Sequence, residues 1–197
     1  MSKAEKTKQF IIEKTAPLFN TKGYAATSLS DITAITGLTK GSIYGNFSNK
    51  DEVIIEAFKY NISLLREKIG GALNQGDNPK EALLSFVAFY HNHWEYLVQT
   101  GGCVLLNAAT EADDHLFFLK ESVQHNFKAW EDRLVEVIKA GQAQGYFKPE
   151  IAADDLAALM IMLVEGGVLL SRTLATKRYL DVALDQIERM ITDEMSS

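Results

Sequence analysis

The sequence predicts an all-α fold, and three observations carry that expectation. Apolar residues recur at helical spacing through every long segment. The interruptions between segments centre on glycine or proline, and no stretch shows the apolar–polar alternation of a half-buried strand. About nine helices result, divided into an N-terminal three-helix head on residues 1–50 and a larger helical body on residues 51–197.

The first helix covers residues 4–21, with Phe10, Ile11, Leu18 and Phe19 toward a small core, and Gly23 ends it. Pro17 lies inside it, where it removes the bond to the Glu13 carbonyl and should kink the chain. Ser28 is a good N-cap for a second helix, on which Leu29, Ile32 and Ile35 recur every three residues. Gly37 ends that helix where a positive φ is cheap. Leu38 plugs the gap between helices, Thr39 caps the third helix, and Ile43 and Phe47 point inward from it. Lys40, Gly41, Tyr44 and Ser42 are left facing outward. A short helix with small and polar outer residues and a cation at its start suits the DNA major groove. The pattern is a helix-turn-helix.

Leu18-Phe19, Gly23-Tyr24, Thr27-Ser28, Asp31-Ile32, the run Gly37-Leu38-Thr39-Lys40-Gly41-Ser42-Ile43-Tyr44, Phe47 and Lys50 closely resemble the DNA-binding domain of the TetR/AcrR family of transcriptional regulators. The resemblance covers about the first 55 residues and beyond them is one of architecture alone. It implies a DNA-binding regulator, most simply a repressor that holds a palindromic double-stranded operator as a homodimer and is released by a small-molecule inducer. Lys40 lies where it can reach phosphate or a guanine edge. Tyr44 resembles the family tyrosine that contacts the DNA backbone, and Thr27, Ser28 and Lys50 resemble its phosphate clamps. Thr39, Gly41, Ser42 and Asn46 complete the candidate DNA face. Plain capping and solvation account equally well for Ser28 and Lys50. One departure stands out: Gly45-Asn46 occupies positions where many members carry His or Arg followed by Tyr or His.

In the body, Ser48-Asn49-Lys50-Asp51 reads as a capping box that opens a long helix through Val53, Ile54, Ala57, Phe58, Ile62, Leu65 and Ile69. The next helix runs from Pro79 to about Gln99, and Gly101-Gly102 breaks it. Cys103 to Thr110 is a short apolar helix ending in Glu111-Ala112-Asp113-Asp114. Helices follow from His115 to Gly141, from Asp155 to Leu174 with Asp154 as cap, and from Arg178 to Glu194.

Phe86, Phe89, Tyr90, Trp94, Phe127 and Trp130 form either a core or the walls of a ligand pocket, with His93, Asn107, Glu111 and Glu165 as interspersed polar groups. Phe89, His93, Trp94, Asn107, Glu111, Phe127 and Trp130 are the candidate inducer-binding residues. Glu111 leans the choice toward a ligand with a donor or positive group, and a solvated acidic turn explains it as well. Apolar residues cover more than one face of the penultimate helix, which must therefore bury two sides. Leu156, Met160, Leu163, Gly167 and Leu170, with Ile187 of the last helix, are the candidate dimer interface.

Charge divides unevenly. Residues 1–52 hold seven lysines against five acids, and the remainder thirteen bases against twenty-one acids, within a net charge of −6. A mildly positive head on an acidic body would turn the head toward phosphate. Cys103 is the sole cysteine, so no internal disulfide or cysteine-based zinc site is expected. His91 and His93 point to different faces, and Glu111/His115 and Glu121/His125 do not form the paired motif of a metal bundle, so neither metal nor cofactor is expected. Residues 2–9 are too polar for a signal peptide, and Glu165 interrupts the longest apolar run, so a cytoplasmic protein is expected. A helical enzyme is the alternative class, but no nucleophile–base pair or phosphate-binding glycine loop supports it. A protein-binding helical module fits poorly with Lys40 and Tyr44 on a small-residue face.

Overall fold

The structure, a computed structural model, describes residues 2–196. These form α1 (Lys3–Lys22), α2 (Leu29–Thr36), α3 (Lys40–Tyr44), α4 (Lys50–Leu73), α5 (Pro79–Asn92), α6 (Trp94–Gln99), α7 (Val104–Asp114), α8 (Phe117–Ala143), α9 (Ala153–Thr173) and α10 (Arg178–Arg189), closed by a π turn over Met190–Glu194. The β pairing among the described residues is one isolated bridge, Phe147 with Ser196. The fold is all-α, with a helix-turn-helix near its N-terminus. Two compact units result. One takes the residues up to Leu65 with Val104–Val123, and the other takes Arg66–Cys103 with the chain from Gln124 onward. α4 and α8 thus supply residues to both, where the sequence alone suggested one division after residue 50.

In the first unit, Ile11, Ile12, Thr15, Ala16 and Phe19 recur at three- and four-residue steps and form the buried stripe of α1. Phe19 stacks on Tyr24 at 5.6 Å, and Tyr24 meets Phe58 edge-on at 6.3 Å. Ile32, Ile43, Phe47, Val53, Ile54 and Ala57 close this core. Two expected members are missing from it. Phe10 is 38% exposed, because it lies about 100° from Ile11 on the side away from Ile12, Thr15, Ala16 and Phe19, nearly opposite the middle of the buried stripe. Ile35 is 42% exposed, because the buried partner of Ile32 is Thr36, four residues on rather than three. Buried Asn61 of α4 donates to the Ala16 carbonyl at 2.8 Å and ties α4 to α1 one residue before Pro17.

The helix starts are capped by side chains. Ser2 and Glu5 form a reciprocal box on α1, and Ser28 and Asp31 form one on α2. On α4 the cap is Asn49, one residue later than expected. Its side chain accepts from the Glu52 amide at 2.8 Å, while the Glu52 carboxylate accepts from the Ser48 amide at 2.7 Å.

In the second unit, the aromatic segment from Pro79 to Gln99 is two helices, broken at His93. The His93 ring stacks on Phe89 at 4.3 Å with Nδ1 at 2.8 Å from the Phe89 carbonyl. That contact holds the turn between α5 and α6. α9 begins at Ala153, so Asp154 lies in its first turn with Asp155, favouring the helix through its dipole rather than as a cap. The last helix changes pitch at Met190, and the Met195 amide donates to the Met190 carbonyl at 2.8 Å, burying Met190, Ile191 and Met195. α9 packs on α10 through Met160, Val164, Gly167 and Val168 against Leu180, Ala183, Leu184 and Ile187.

Gly141, inside α8, has no room for a side chain, since a β-carbon there would overlap the Phe147 ring, itself 1% exposed. Glycine to alanine in a helix interior ordinarily gains about 0.5–1 kcal/mol. Gly141→Ala is expected to reverse that sign and lose about 1–3 kcal/mol by overpacking, read from the urea unfolding midpoint.

Candidate functional site

The helix-turn-helix is built from local bonds. Gly37 takes φ +68°, the left-handed cap that ends α2, and its amide donates to the Thr33 carbonyl at 2.9 Å. Thr39 is extended, and its hydroxyl accepts from the Ser42 amide at 3.2 Å to start α3. With Ile43 and Phe47 buried, Lys40, Gly41 and Tyr44 stand exposed, Tyr44 at 46%. Ser42 and Asn46 are half-buried, and the Asn46 amide donates to the Ser42 carbonyl at 2.8 Å.

Most cations of this unit near α2 and α4 are committed. Lys22 pairs with Asp31 at 2.6 Å, and Lys8 pairs with Glu52 at 2.9 Å while lying over the Phe47 ring. Lys22, with help from the Ser28 hydroxyl and amide, holds the Asp31 carboxyl well below the usual range. Lys8, then Ser48, lowers that of Glu52 to about 2. Lys50 is half-buried and donates to the Ala25 carbonyl at 3.3 Å. Lys40 makes no ion pair among the described residues. Ser28 is exposed but already caps α2. Thr27 departs from its expected role as a clamp: it is wholly buried, and its hydroxyl donates to the Gly23 carbonyl at 2.6 Å.

The turn between α1 and α2 is held from α7. Glu111 accepts from the Tyr24 amide at 2.8 Å through one carboxylate oxygen and from the Ala25 amide at 2.6 Å through the other. Gly23 turns the chain at φ +99°, and a β-carbon there would crowd the Glu111 oxygen at 3.3 Å. One turn earlier on α7, Asn107 donates to the Asn20 side-chain oxygen at 3.0 Å. Neither residue is grouped with the aromatic set beside which its place in the sequence suggested it. Both lie in the first unit and position the helix-turn-helix.

Residues 11–57 match the family model for bacterial regulatory proteins of the tetR family, and residues 79–187 match that for a tetracyclin repressor-like C-terminal domain. The chain is a member of the TetR family of transcriptional regulators. It is similar to a TetR-family regulator of Cytophaga hutchinsonii at 40% identity and TM-score 0.93, over 100% of this chain and 98% of that one. A TetR regulator of Chloroflexus aurantiacus matches at 34% identity and TM-score 0.93, over 100% and 99%. Among curated relatives, the repressor DhaR of Mycobacterium sp. (strain GP1) is 25% identical over 82% of this chain and 80% of its own. Members of this family are DNA-binding regulators and not enzymes. No helix of the described residues is long and apolar enough to cross a membrane.

In the second unit of this TetR-family regulator, Phe89, His93, Phe127 and Trp130 fall in one aromatic neighbourhood, while Trp94 is half-buried at the start of α6. Phe89 meets Tyr90 at 5.1 Å, Tyr90 meets Phe86 at 5.2 Å, Phe86 lies 6.4 Å from Trp130, and Phe127 lies 6.5 Å from Trp130. The expected dimer residues divide differently. Leu156, Met160, Gly167 and Ile187 are buried within the chain itself. Gly167 in particular seats α10, since a β-carbon added there would lie 3.0 Å from the Ala183 β-carbon and 3.1 Å from the Leu180 α-carbon. Leu163 is half-buried, and Leu170 is exposed. With Leu159, Met162 and Leu169, they make a stripe at three-, four- and seven-residue spacing along the outer face of α9. Met162, Leu169 and exposed Val182 of α10 are additions to the expected set, although the spacing was there to find.

Glu111→Gln leaves one of the two amides facing an amide donor, a loss of about 1–3 kcal/mol at the turn. The expected result is operator affinity lowered by about 5- to 150-fold with helix content unchanged, read by anisotropy on labelled operator alongside circular dichroism.

Proposed function

We propose that this regulator is a repressor that binds a palindromic double-stranded operator as a homodimer and is released by a small-molecule inducer. The observation that carries the DNA reading is the outer face of α3. Lys40 is exposed without an ion pair among the described residues, and Tyr44 stands one turn later, on a helix whose other outward residue is Gly41. An exposed aromatic beside an uncommitted cation fits a nucleic-acid backbone with base edges alongside. The proposed contacts are Ser28, Thr39, Lys40, Gly41, Ser42, Tyr44, Asn46 and Lys50. Thr27 acts from below as a buried support. Repression follows the relatives named as repressors, DhaR and KstR2. Residues 1–50 serve as the DNA-binding domain and residues 51–197 as the ligand and dimer domain, in the cytoplasm where the operator is.

Dimerisation is assigned to the α9 stripe of Leu159, Met162, Leu163, Leu169 and Leu170. Contiguous exposed apolar residues of this kind mark an interaction surface, and a symmetric pair of such stripes makes a self-complementary interface. Gly166 lies on the same face with nothing within 4 Å of a β-carbon there, which permits close approach of a partner helix. α4 is continuous from Lys50 to Leu73 and contributes to both compact units. Coupling through it would have to favour the released state by about 1–3 kcal/mol of ligand binding.

Lys40→Ala is expected to weaken operator binding in one of two distinguishable ways. A base contact shows as about 1–3 kcal/mol lost on the operator and little on unrelated DNA. A phosphate contact shows as equal weakening on both, with the salt slope reduced by about one. Titration against the DNA upstream of the gene at several salt concentrations reads this, and absence of any salt-sensitive binding removes the DNA assignment.

Met162→Glu places a charge at a residue 62% exposed in the single chain, so the subunit fold is spared. Sedimentation velocity at low micromolar protein is expected to show a wild-type dimer and a variant monomer that has lost tight operator binding. A wild-type monomer there overturns the dimer.

A further inference from the structure

We propose that the inducer site is centred on the carboxylate of Glu165 and takes a small, largely apolar molecule carrying a protonated amine, with a hydrogen-bond acceptor elsewhere on it; this rests on the ligand-released reading above. Glu165 lies on α9 and is 7% exposed; its carboxylate oxygens accept from no nitrogen or oxygen donor among the described residues, and the one group acting on them as a donor is the weak Cys103 thiol. On α8, the Trp130 indole N–H is in a similar condition: the residue is 7% exposed, and its donor has no acceptor among them. Native interiors rarely leave such groups unpaired, and an unpaired buried carboxylate is among the costlier cases. A core needing only packing at these positions would be better served by leucine and phenylalanine.

The two groups are opposite in sense, and the aromatic set joins them. Tyr90 is buried close enough to Glu165 and Cys103 for both to raise its pKa, after burial itself. Tyr90 meets Phe86 edge-on, and Phe86 in turn lies against Trp130. Burial pushes the Glu165 carboxyl up to about 7, and a weak hydrogen bond from the Cys103 thiol acts against that rise. No cation among the described residues pairs with it. Arg172, the one basic residue of α9, lies against Gly102 and makes no ion pair with Glu165. The missing partner is therefore a donor with positive charge.

An ammonium supplies that partner in full. It donates two or three N–H groups to the buried carboxylate oxygens, and charge-assisted bonds of this kind are the strong ones. A carboxylate ligand meets repulsion at the same place, and an alcohol gives one neutral bond. The Trp130 N–H adds preference for an ether, carbonyl or hydroxyl oxygen on the same molecule.

The test uses the whole chain at pH 8, where Glu165 is mostly ionised, with three probes of one skeleton: para-methoxyphenethylamine, para-methoxyphenethyl alcohol and para-methoxyphenylacetate. Binding is read by calorimetry and tryptophan fluorescence, and release by anisotropy of labelled operator. The expected result is a wild-type preference for the amine over the alcohol of at least about tenfold. In Glu165→Gln that preference should fall to within about twofold, while operator binding without ligand is retained. Trp130→Phe should weaken the methoxy amine severalfold and leave phenethylamine unchanged. The wild-type preference needs no variant, so a misfolded Glu165→Gln does not rescue the proposal. Failure of the amine to bind wild type, a preference for alcohol or acid, or equal amine affinity in Glu165→Gln overturns it. Release of operator by the alcohol or acid alone would overturn the amine class and keep the ligand-released reading. Glu165-dependent amine binding with no release would support the site and remove that reading.

Discussion

One carboxylate sets the geometry of the DNA-binding head. Glu111 spans two consecutive backbone amides in the turn that joins α1 to α2. The same turn is gripped from its other side, where Lys50 donates to the Ala25 carbonyl, so both polar groups of the Ala25 backbone are held by side chains. Thr27 completes the closure by donating back to the Gly23 carbonyl. Gly23 is required because the turn needs a positive φ and because any β-carbon would push against the carboxylate. Much of this lies near solvent, and each bond contributes modestly. Their joint effect is directional: they fix where α2 starts, and α2 fixes α3 through Ile32 and Ile43 in one core. The orientation of the recognition helix thus depends on α7, a helix far along the chain whose Glu111 stands 87 residues after Tyr24.

α9 carries three demands on one cylinder. Its inner side packs on α10, with Gly167 allowing the backbones to approach and the Ser171 hydroxyl accepting from the Leu180 amide at 2.8 Å. Its outer side presents a stripe of exposed leucines and a methionine. Between these it encloses Glu165, the one buried acid among the described residues, with no donor for its oxygens stronger than the Cys103 thiol. Periodicity shows that the helix is apolar over more than one face, but it cannot say which apolar face meets its own chain. Gly167 has the character of a site of approach for a partner and is one for α10. The small residue that faces open space is Gly166, its neighbour.

What the sequence makes legible is local. The second and third helices follow from caps and breaks that lie within three or four residues of what they cap: Ser28 with Asp31, Gly37 with Thr33, Thr39 with Ser42. The break at His93 is hidden because histidine is no helix breaker; a ring stacked on Phe89 and bonded to its carbonyl makes it one. The role of Glu111 is hidden for a different reason. Its partners are backbone amides of Tyr24 and Ala25, and a backbone amide leaves no mark in the sequence at a distance. Grouping Asn107 and Glu111 with the aromatics uses only their position along the chain, which does not record that α7 packs on α1. Thr27 matches a clamp in type and place, yet its hydroxyl is already spent on the turn below it.

The charge of the head also changes meaning once its pairs are known. A formal surplus of two over residues 1–52 is small, and Lys8 and Lys22 are already matched by Glu52 and Asp31. What remains uncommitted, and so open to the proposed phosphate contacts, is Lys40, the amine of Lys50 where it can leave the Ala25 carbonyl, and the other lysines of α1. A single head of this kind offers only a few counterion-releasing contacts, so its affinity alone should be weak and steep in salt only to a small degree. In the proposed dimer, tight binding would come from two heads on one operator, because the second head binds at an effective concentration set by its tether rather than by bulk protein. On the proposed dimer, that requirement would place the α9 stripe, which lies outside the proposed DNA face, among the determinants of operator affinity. On the proposed ligand-released reading, modest coupling would then be enough: disturbing the match between two weakly held heads removes the gain from linkage, and neither head needs to lose its own contacts.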